Sequence, residues 1–162
     1  MTTHEPNQRD KETLLKIFRA LSDYIAEGGK QANTTKVARE ALFFIYEGSN
    51  SAKKYDRHPK SKKAQNQMAG FNYDHSVPLN CWLYDLVKQC NELSDEQILE
   101  EIKLNNHIRI ITGKEEEGQL RQAGLRESMP PGWYQEKPED ISREEWIKKW
   151  MDKRYQAAGI DF

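Results

Sequence analysis

Apolar positions recur with a helical period over long parts of the chain. From Asp10, the set Leu14, Ile17, Phe18, Leu21, Tyr24 and Ile25 marks one face of a helix that stops at Gly28-Gly29. After a polar turn, Thr34 or Thr35 is placed to cap a second helix through Val37, Ala38, Ala41 and Leu42. That helix ends on Phe43-Phe44-Ile45-Tyr46, an apolar run that predicts a central position, before Gly48-Ser49-Asn50-Ser51. Pro59 fits the first position of a short helix ended by Gly70, with Ala64 and Met68 as its buried edge.

A looser, two-residue alternation follows in Phe71, Tyr73, His75 and Val77, and predicts extended chain. Pro78 then opens a helix carrying Leu79, Trp82, Leu83, Leu86, Val87, Cys90 and Leu93. Three segments have the capping-box pattern, in which a hydroxyl and a carboxyl or amide three residues later satisfy each other's free backbone N–H groups. They are Ser94–Gln97, Thr112–Glu115 and Ser142–Glu145. The last opens a helix with Trp146, Ile147, Trp150, Met151 and Tyr155. Ile108–Ile111, short and rich in β-branched residues, reads as a strand. A lone strand is unstable, and 71–75 is its first candidate partner. Pro130-Pro131-Gly132 and Pro138 place 125–141 in a long loop anchored by Met129, Trp133 and Tyr134.

The pattern therefore predicts a mainly α fold: a compact bundle of six or seven helices with a small two-stranded element. Its extent is read as one domain over 10–158, preceded by a tail over 1–9. At 162 residues the chain suits one domain, able to bury roughly two-thirds of its unfolded surface without a metal or disulfide. Hydrophobic residues make up only 36% and charged residues 31%, so aromatic side chains must carry much of the core. Cys81 and Cys90, if on one helix, stand about 13 Å apart along its axis, too far to bridge, and are read as buried thiols. No run approaches the ~18 apolar residues of a membrane helix. The polar N-terminus lacks a secretory core. A cytoplasmic protein with no membrane partner is the resulting expectation.

Charge adds one local feature. Lys and Arg number 25 against 26 Asp and Glu, so attraction to a polyanion has to be local. Such a locus exists: Lys53, Lys54, Arg57, Lys60, Lys62 and Lys63 stand against a single Asp56, with Tyr55 and His58 interleaved. Clustered cations bind phosphate and gain from counterion release, and rings between them can stack on bases or sugars. The first functional expectation is a non-catalytic protein that contacts a nucleic-acid backbone through Lys53, Lys54, Tyr55, Arg57, Lys60, Lys62 and Lys63. The alternative is a protein–protein interaction factor, such as an adaptor, inhibitor or immunity-type protein, using Trp133, Trp146 and Trp150 as contact residues.

A third reading rests on Tyr73-Asp74-His75-Ser76-Val77-Pro78-Leu79, in which an Asp-His pair followed by Val-Pro-Leu resembles the first motif of HNH-type nucleases. The resemblance implies His75 as general base and Asp74 as ligand to a divalent metal such as Mg²⁺. It covers about seven residues. The family's later Asn and His have no counterpart after Asn80 or Asn91, and only Asn106-His107 lies downstream. Outside that reading, no cofactor or metal is expected: His4, His58, His75 and His107 form no close pair, and no Cys-x-x-Cys occurs. Glu115-Glu116-Glu117 reads as favourable charge at a helix N-terminus.

Overall fold

The computed structural model describes residues 5–48 and 54–162. Among them are seven α-helices and two strands, in the order α1 (Gln8–Ala26), α2 (Gln31–Ala41), α3 (Lys62–Gln65), β1 (Phe71–His75), α4 (Leu83–Gln89), α5 (Asp95–Asn105), β2 (Ile108–Thr112), α6 (Glu115–Gln122) and α7 (Arg143–Ala157). The chain is mainly helical with a small two-stranded sheet, and none of its described helices is long and apolar enough to cross a membrane. Its contacts group it into two compact units: residues up to Arg57 with Trp82–Lys103, and His58–Cys81 with Leu104–Phe162.

In the first unit α1, α2 and α4 pack on one another. The amphipathic pattern of α1 buries Leu14, Leu15 and Phe18. Arg19 fastens that helix to the end of α4, donating to the carbonyls of Cys90 (2.6 Å) and Leu93 (3.1 Å) and pairing with Asp95 at 2.6 Å. The helix starts at Gln8 rather than Asp10, because the Asn7 side chain accepts from the Asp10 N–H.

Three expectations for this unit are corrected. Neither Thr34 nor Thr35 caps α2. The helix begins earlier, and the Thr34 hydroxyl turns back onto the Lys30 carbonyl within its first turn. The apolar run at its end is not central. Leu42–Tyr46 forms a π-helical turn, which rotates the run so that Leu42 is buried while Phe44 is 49% exposed. The helix expected from Pro78 is broken into a 3₁₀ turn at Leu79–Cys81, α4, and a second 3₁₀ turn at Cys90–Glu92. The break is at Trp82, whose φ of −150° is not helical. Cys81 and Cys90 thus lie on separate elements as free thiols. Only Cys90 is buried, its Sγ donating to the Leu86 carbonyl, and burial raises its pKa to about 11.

The second unit is built on the sheet. β1 and β2 pair antiparallel, with Phe71 opposite Thr112, Tyr73 opposite Ile110, and His75 opposite Ile108. Both backbone groups of Ile110 point away from β1. Its N–H donates to the Pro59 carbonyl (2.8 Å), and its carbonyl accepts from the Ser61 N–H (2.9 Å). Residues 59–61 thus run as an extended edge beside β2, where the sequence suggested a helix from Pro59. The helix there is one turn, α3, capped by the Ser61 hydroxyl. Ala64 is buried as expected, but Met68 is 99% exposed. Below the sheet, Ile111 packs with Leu120, Leu125, Tyr155, Ala158 and Ile160.

Two capping boxes form as read, at Ser94–Gln97 and Ser142–Glu145. The third is shifted by one residue. Thr112 exchanges its reciprocal bonds with Glu116 rather than Glu115: the Glu116 N–H donates to the Thr112 hydroxyl (3.0 Å), and Glu116 Oε2 accepts from the Thr112 N–H (2.8 Å). The same oxygen accepts from the Ser61 hydroxyl at 2.6 Å, and Glu116 is only 1% exposed.

Candidate functional site

A strand sends successive side chains to opposite faces, so Asp74 and its neighbours Tyr73 and His75 look in opposite directions. Asp74 faces α7. Its Oδ2 accepts from Arg154 Nη1 at 2.7 Å and from the Tyr155 hydroxyl at 2.5 Å, and its Oδ1 accepts from Arg154 Nη2 at 3.3 Å. Arg154 is fully buried, and its other donors reach the carbonyls of Leu125, Arg126, His75 and Ser76. Burial opposes the guanidinium charge, but the Asp74 carboxylate more than compensates and holds Arg154 above its ordinary pKa. Burial, then the charge of Asp74, drives the Tyr155 phenol well above its usual range. Both carboxylate oxygens of Asp74 are therefore engaged inside the protein.

His75 lies on the other face, in a row of rings. The His58 ring meets Tyr73 edge-on at 5.3 Å, and Tyr73 meets His75 at 5.8 Å. His107 comes to the same end of the sheet, where its carbonyl accepts from the Ser76 N–H. Its ring instead bonds the Leu104 carbonyl at 2.9 Å, and burial lowers its pKa. Asp74, His75 and His107 thus converge in backbone position, while their side chains go to three different surroundings. Among the described residues, no three His, Cys, Asp or Glu side chains gather where they could hold a metal ion.

The basic segment divides between the two units. Lys53 lies outside the described residues. In the first unit, the Lys54 ammonium lies over the rings of Phe43 (5.5 Å) and Tyr55 (5.1 Å), and Arg57 is half-buried. In the second unit the cations alternate about the edge strand. Lys60 lies 4.7 Å over the Phe71 ring, Ser61 points inward to Glu116, and Lys62 is exposed. Lys63 pairs with Glu115, and the hydrogen bond to that carboxylate raises its pKa. The acidic triplet at the start of α6 therefore has three separate duties. Glu115 holds Lys63, Glu116 holds Ser61 and Thr112, and Glu117 meets Arg121 and Arg126.

The tryptophans sit together only in part. Trp146 and Trp150, one turn apart on α7, meet edge-to-face at 5.5 Å and are each half-buried. Lys149 lies over both rings, at 5.5 and 5.7 Å, and Lys153 lies 4.6 Å over Trp150. Gly132 packs so close to Trp150 that a Cβ there would stand 1.9 Å from the ring. Trp133 is half-buried in the adjoining 3₁₀ turn, while Tyr134 is 62% exposed and bonds the Met129 N–H through its hydroxyl. The Tyr134 hydroxyl also meets Cys81 Sγ at 3.7 Å.

Sequence reasoning did not find Arg154, Tyr155 or Glu116. The ring row was signalled by the alternation of Phe71, Tyr73 and His75. No protein-family model, curated protein or solved structure matches this chain, so its surfaces are interpreted from their own geometry.

Proposed function

We propose that the protein binds nucleic acid through its basic segment, with Lys60 and Lys62 as the central phosphate contacts. The observation that carries this reading is the anchoring of 59–61 along β2. A solvated linker would leave its lysines to wander, whereas the paired backbone and the buried Ser61 hydroxyl fix the stretch of chain from which these two extend. Lys54, Tyr55 and Arg57 extend the same cationic stretch along the chain, and Lys63 is partly neutralised by Glu115. Contacts of this kind read the sugar–phosphate backbone and carry little sequence preference.

Binding of labelled oligonucleotides across a salt series tests the proposal. Affinity is expected to fall steeply as salt rises. Lys60→Glu with Lys62→Glu should reduce the slope of log affinity against log salt by roughly 0.7–0.9 for each phosphate that loses its lysine. Affinity that is flat with salt, or unchanged in that double variant, would remove the segment from the interface. The second reading, a protein-interaction factor, is favoured by the exposed Tyr134 beside half-buried Trp133. It predicts a stable partner lost on changing Tyr134. The nuclease reading requires Asp74 to leave Arg154 and Tyr155 before it could meet a metal. Mg²⁺-dependent cleavage abolished by His75→Ala would revive it.

A further inference from the structure

The two sides of α7 differ in charge. Ile147, Met151, Arg154 and Tyr155 form its buried face. To one side of that face a helical wheel places Glu144, Lys148, Asp152 and Glu145, and to the other Arg143, Trp146, Lys149, Trp150 and Lys153, with Glu145 one turn before Lys149 at the border. The second flank carries no carboxylate, although acids slightly outnumber bases in the chain as a whole. Its two indoles are half-buried: Lys149 lies over both and Lys153 over Trp150, while Gly132 packs against the six-membered ring of Trp150. An ammonium on a flexible stem is easily moved aside, so the ring surface under the lysines, on Trp146 above all, is open to a planar ligand, while Gly132 braces Trp150 from behind.

We infer that this flank of α7 is a stacking platform for unpaired bases, so that the ligand is single-stranded nucleic acid. The inference rests on the nucleic-acid reading above and narrows it. A duplex keeps its bases stacked and offers the platform only phosphates. A single strand offers both, its bases to Trp146 and Trp150 and its phosphates to Lys149, Lys153 and Arg143. This division between ring and cation is the chemistry by which single strands are held without sequence preference. An acidic polypeptide would satisfy the lysines, but would bring a ring only where it happens to carry an aromatic residue, whereas every unit of a single strand brings both a base and a phosphate.

The test titrates the full chain at low salt with an oligothymidylate of about 15 nucleotides, and with a duplex of equal length, following both a label on the nucleic acid and the protein's indole emission. The single strand is expected to quench the indoles and to bind about tenfold more tightly than the duplex. Trp146→Leu should weaken single-strand binding by about tenfold and leave the duplex unaffected. Lys149→Gln with Lys153→Gln, which alters only exposed side chains, should also weaken it, independently of any packing defect in the Trp variant.

Equal affinity for the two forms, or unchanged single-strand affinity in both variants, overturns the platform. The basic-segment reading survives that result if Lys60→Glu with Lys62→Glu still lowers binding. Single-strand binding that depends on Trp146 but ignores Lys60 and Lys62 supports the platform and sinks the segment instead. Quenching by polyglutamate with no binding of either nucleic acid overturns both and assigns the flank to an acidic protein.

Discussion

The surroundings of Asp74 and of Lys63 both bring a cation to a carboxylate, and they use the pair in opposite ways. Arg154 and Asp74 have side chains 0% and 12% exposed, whereas those of Lys63 and Glu115 are 48% and 61% exposed. In the buried pair every donor of the cation has a fixed acceptor, so removing one partner strands the rest. In the exposed pair water and salt stand in for whichever partner leaves. The difference separates a charge that holds the fold from a charge available to a ligand. It also bears on the Asp74-His75 motif. Asp74 and His75 are adjacent in the chain, but only the Asp74 side chain enters the buried knot, to which His75 contributes its carbonyl alone.

The largest effect should follow from breaking that knot. Arg154→Met leaves Asp74 without its counter-ion and the Leu125 and Arg126 carbonyls without their donor, and should cost about 3–5 kcal/mol. The midpoint of urea unfolding, followed by circular dichroism, reads this directly. Arg154→Lys should recover little, since a single ammonium cannot span acceptors that a planar fork reaches at once. Adding Asp74→Asn to Arg154→Met should restore part of the loss. A single variant as stable as the parent would mean that the two pairs do not differ as argued.

Ser61 lies between the extremes, a buried residue inside the basic segment. Ser61→Ala removes a 2.6 Å bond to the Glu116 carboxylate and the cap of α3, and should cost about 2 kcal/mol. It should also weaken oligonucleotide binding although it removes no charge, because Lys60 and Lys62 are no longer held. Loss of stability with intact binding would show that anchoring does not matter to the interface.

His107 adds a milder, pH-dependent contribution. Burial lowers its folded pKa below the unfolded value of about 6.5, so above that pH it is neutral in both states and has no effect on stability. As pH falls below that value the unfolded chain takes up the proton first, and stability declines towards the lowered folded pKa. Unfolding midpoints at pH near 7.5 and near 5.5 should differ in the parent, and differ less in His107→Gln. A dependence unchanged by that substitution would place the proton uptake on another group.

Helical periodicity carried most of the fold, because amphipathic faces and caps are local. The Ser94 and Ser142 boxes were legible for that reason, and so were the strands at 71–75 and 108–111, whose pairing followed only because a lone strand is unstable. What was not legible depends on distant partners. Phe43–Tyr46 is apolar enough to be core, but a π turn decides which of its residues faces inward. Thr112 was placed to pair with Glu115, and Ser61, far away in sequence, makes Glu116 the buried member instead. Arg154 reads as one more charge on a charged helix, since nothing local announces that Asp74 stands opposite it. The basic segment was visible as composition, but its attachment to β2 through Ile110 was not.

The smallest stability change belongs to the exposed pair, and its value lies in what binding does. Lys63→Ala should leave the unfolding midpoint where it was, because the ammonium and Glu115 are both solvated when apart. Binding should respond in opposite directions to the two halves of the pair. Lys63→Ala leaves the Glu115 charge without its cation and should weaken oligonucleotide affinity. Glu115→Gln releases Lys63 to act as a further phosphate contact. It should therefore strengthen binding at low salt and steepen the salt slope by roughly 0.7–0.9. If Glu115→Gln leaves that slope unaltered, Lys63 is outside the interface and the contacts of this unit's basic stretch are confined to Lys60 and Lys62.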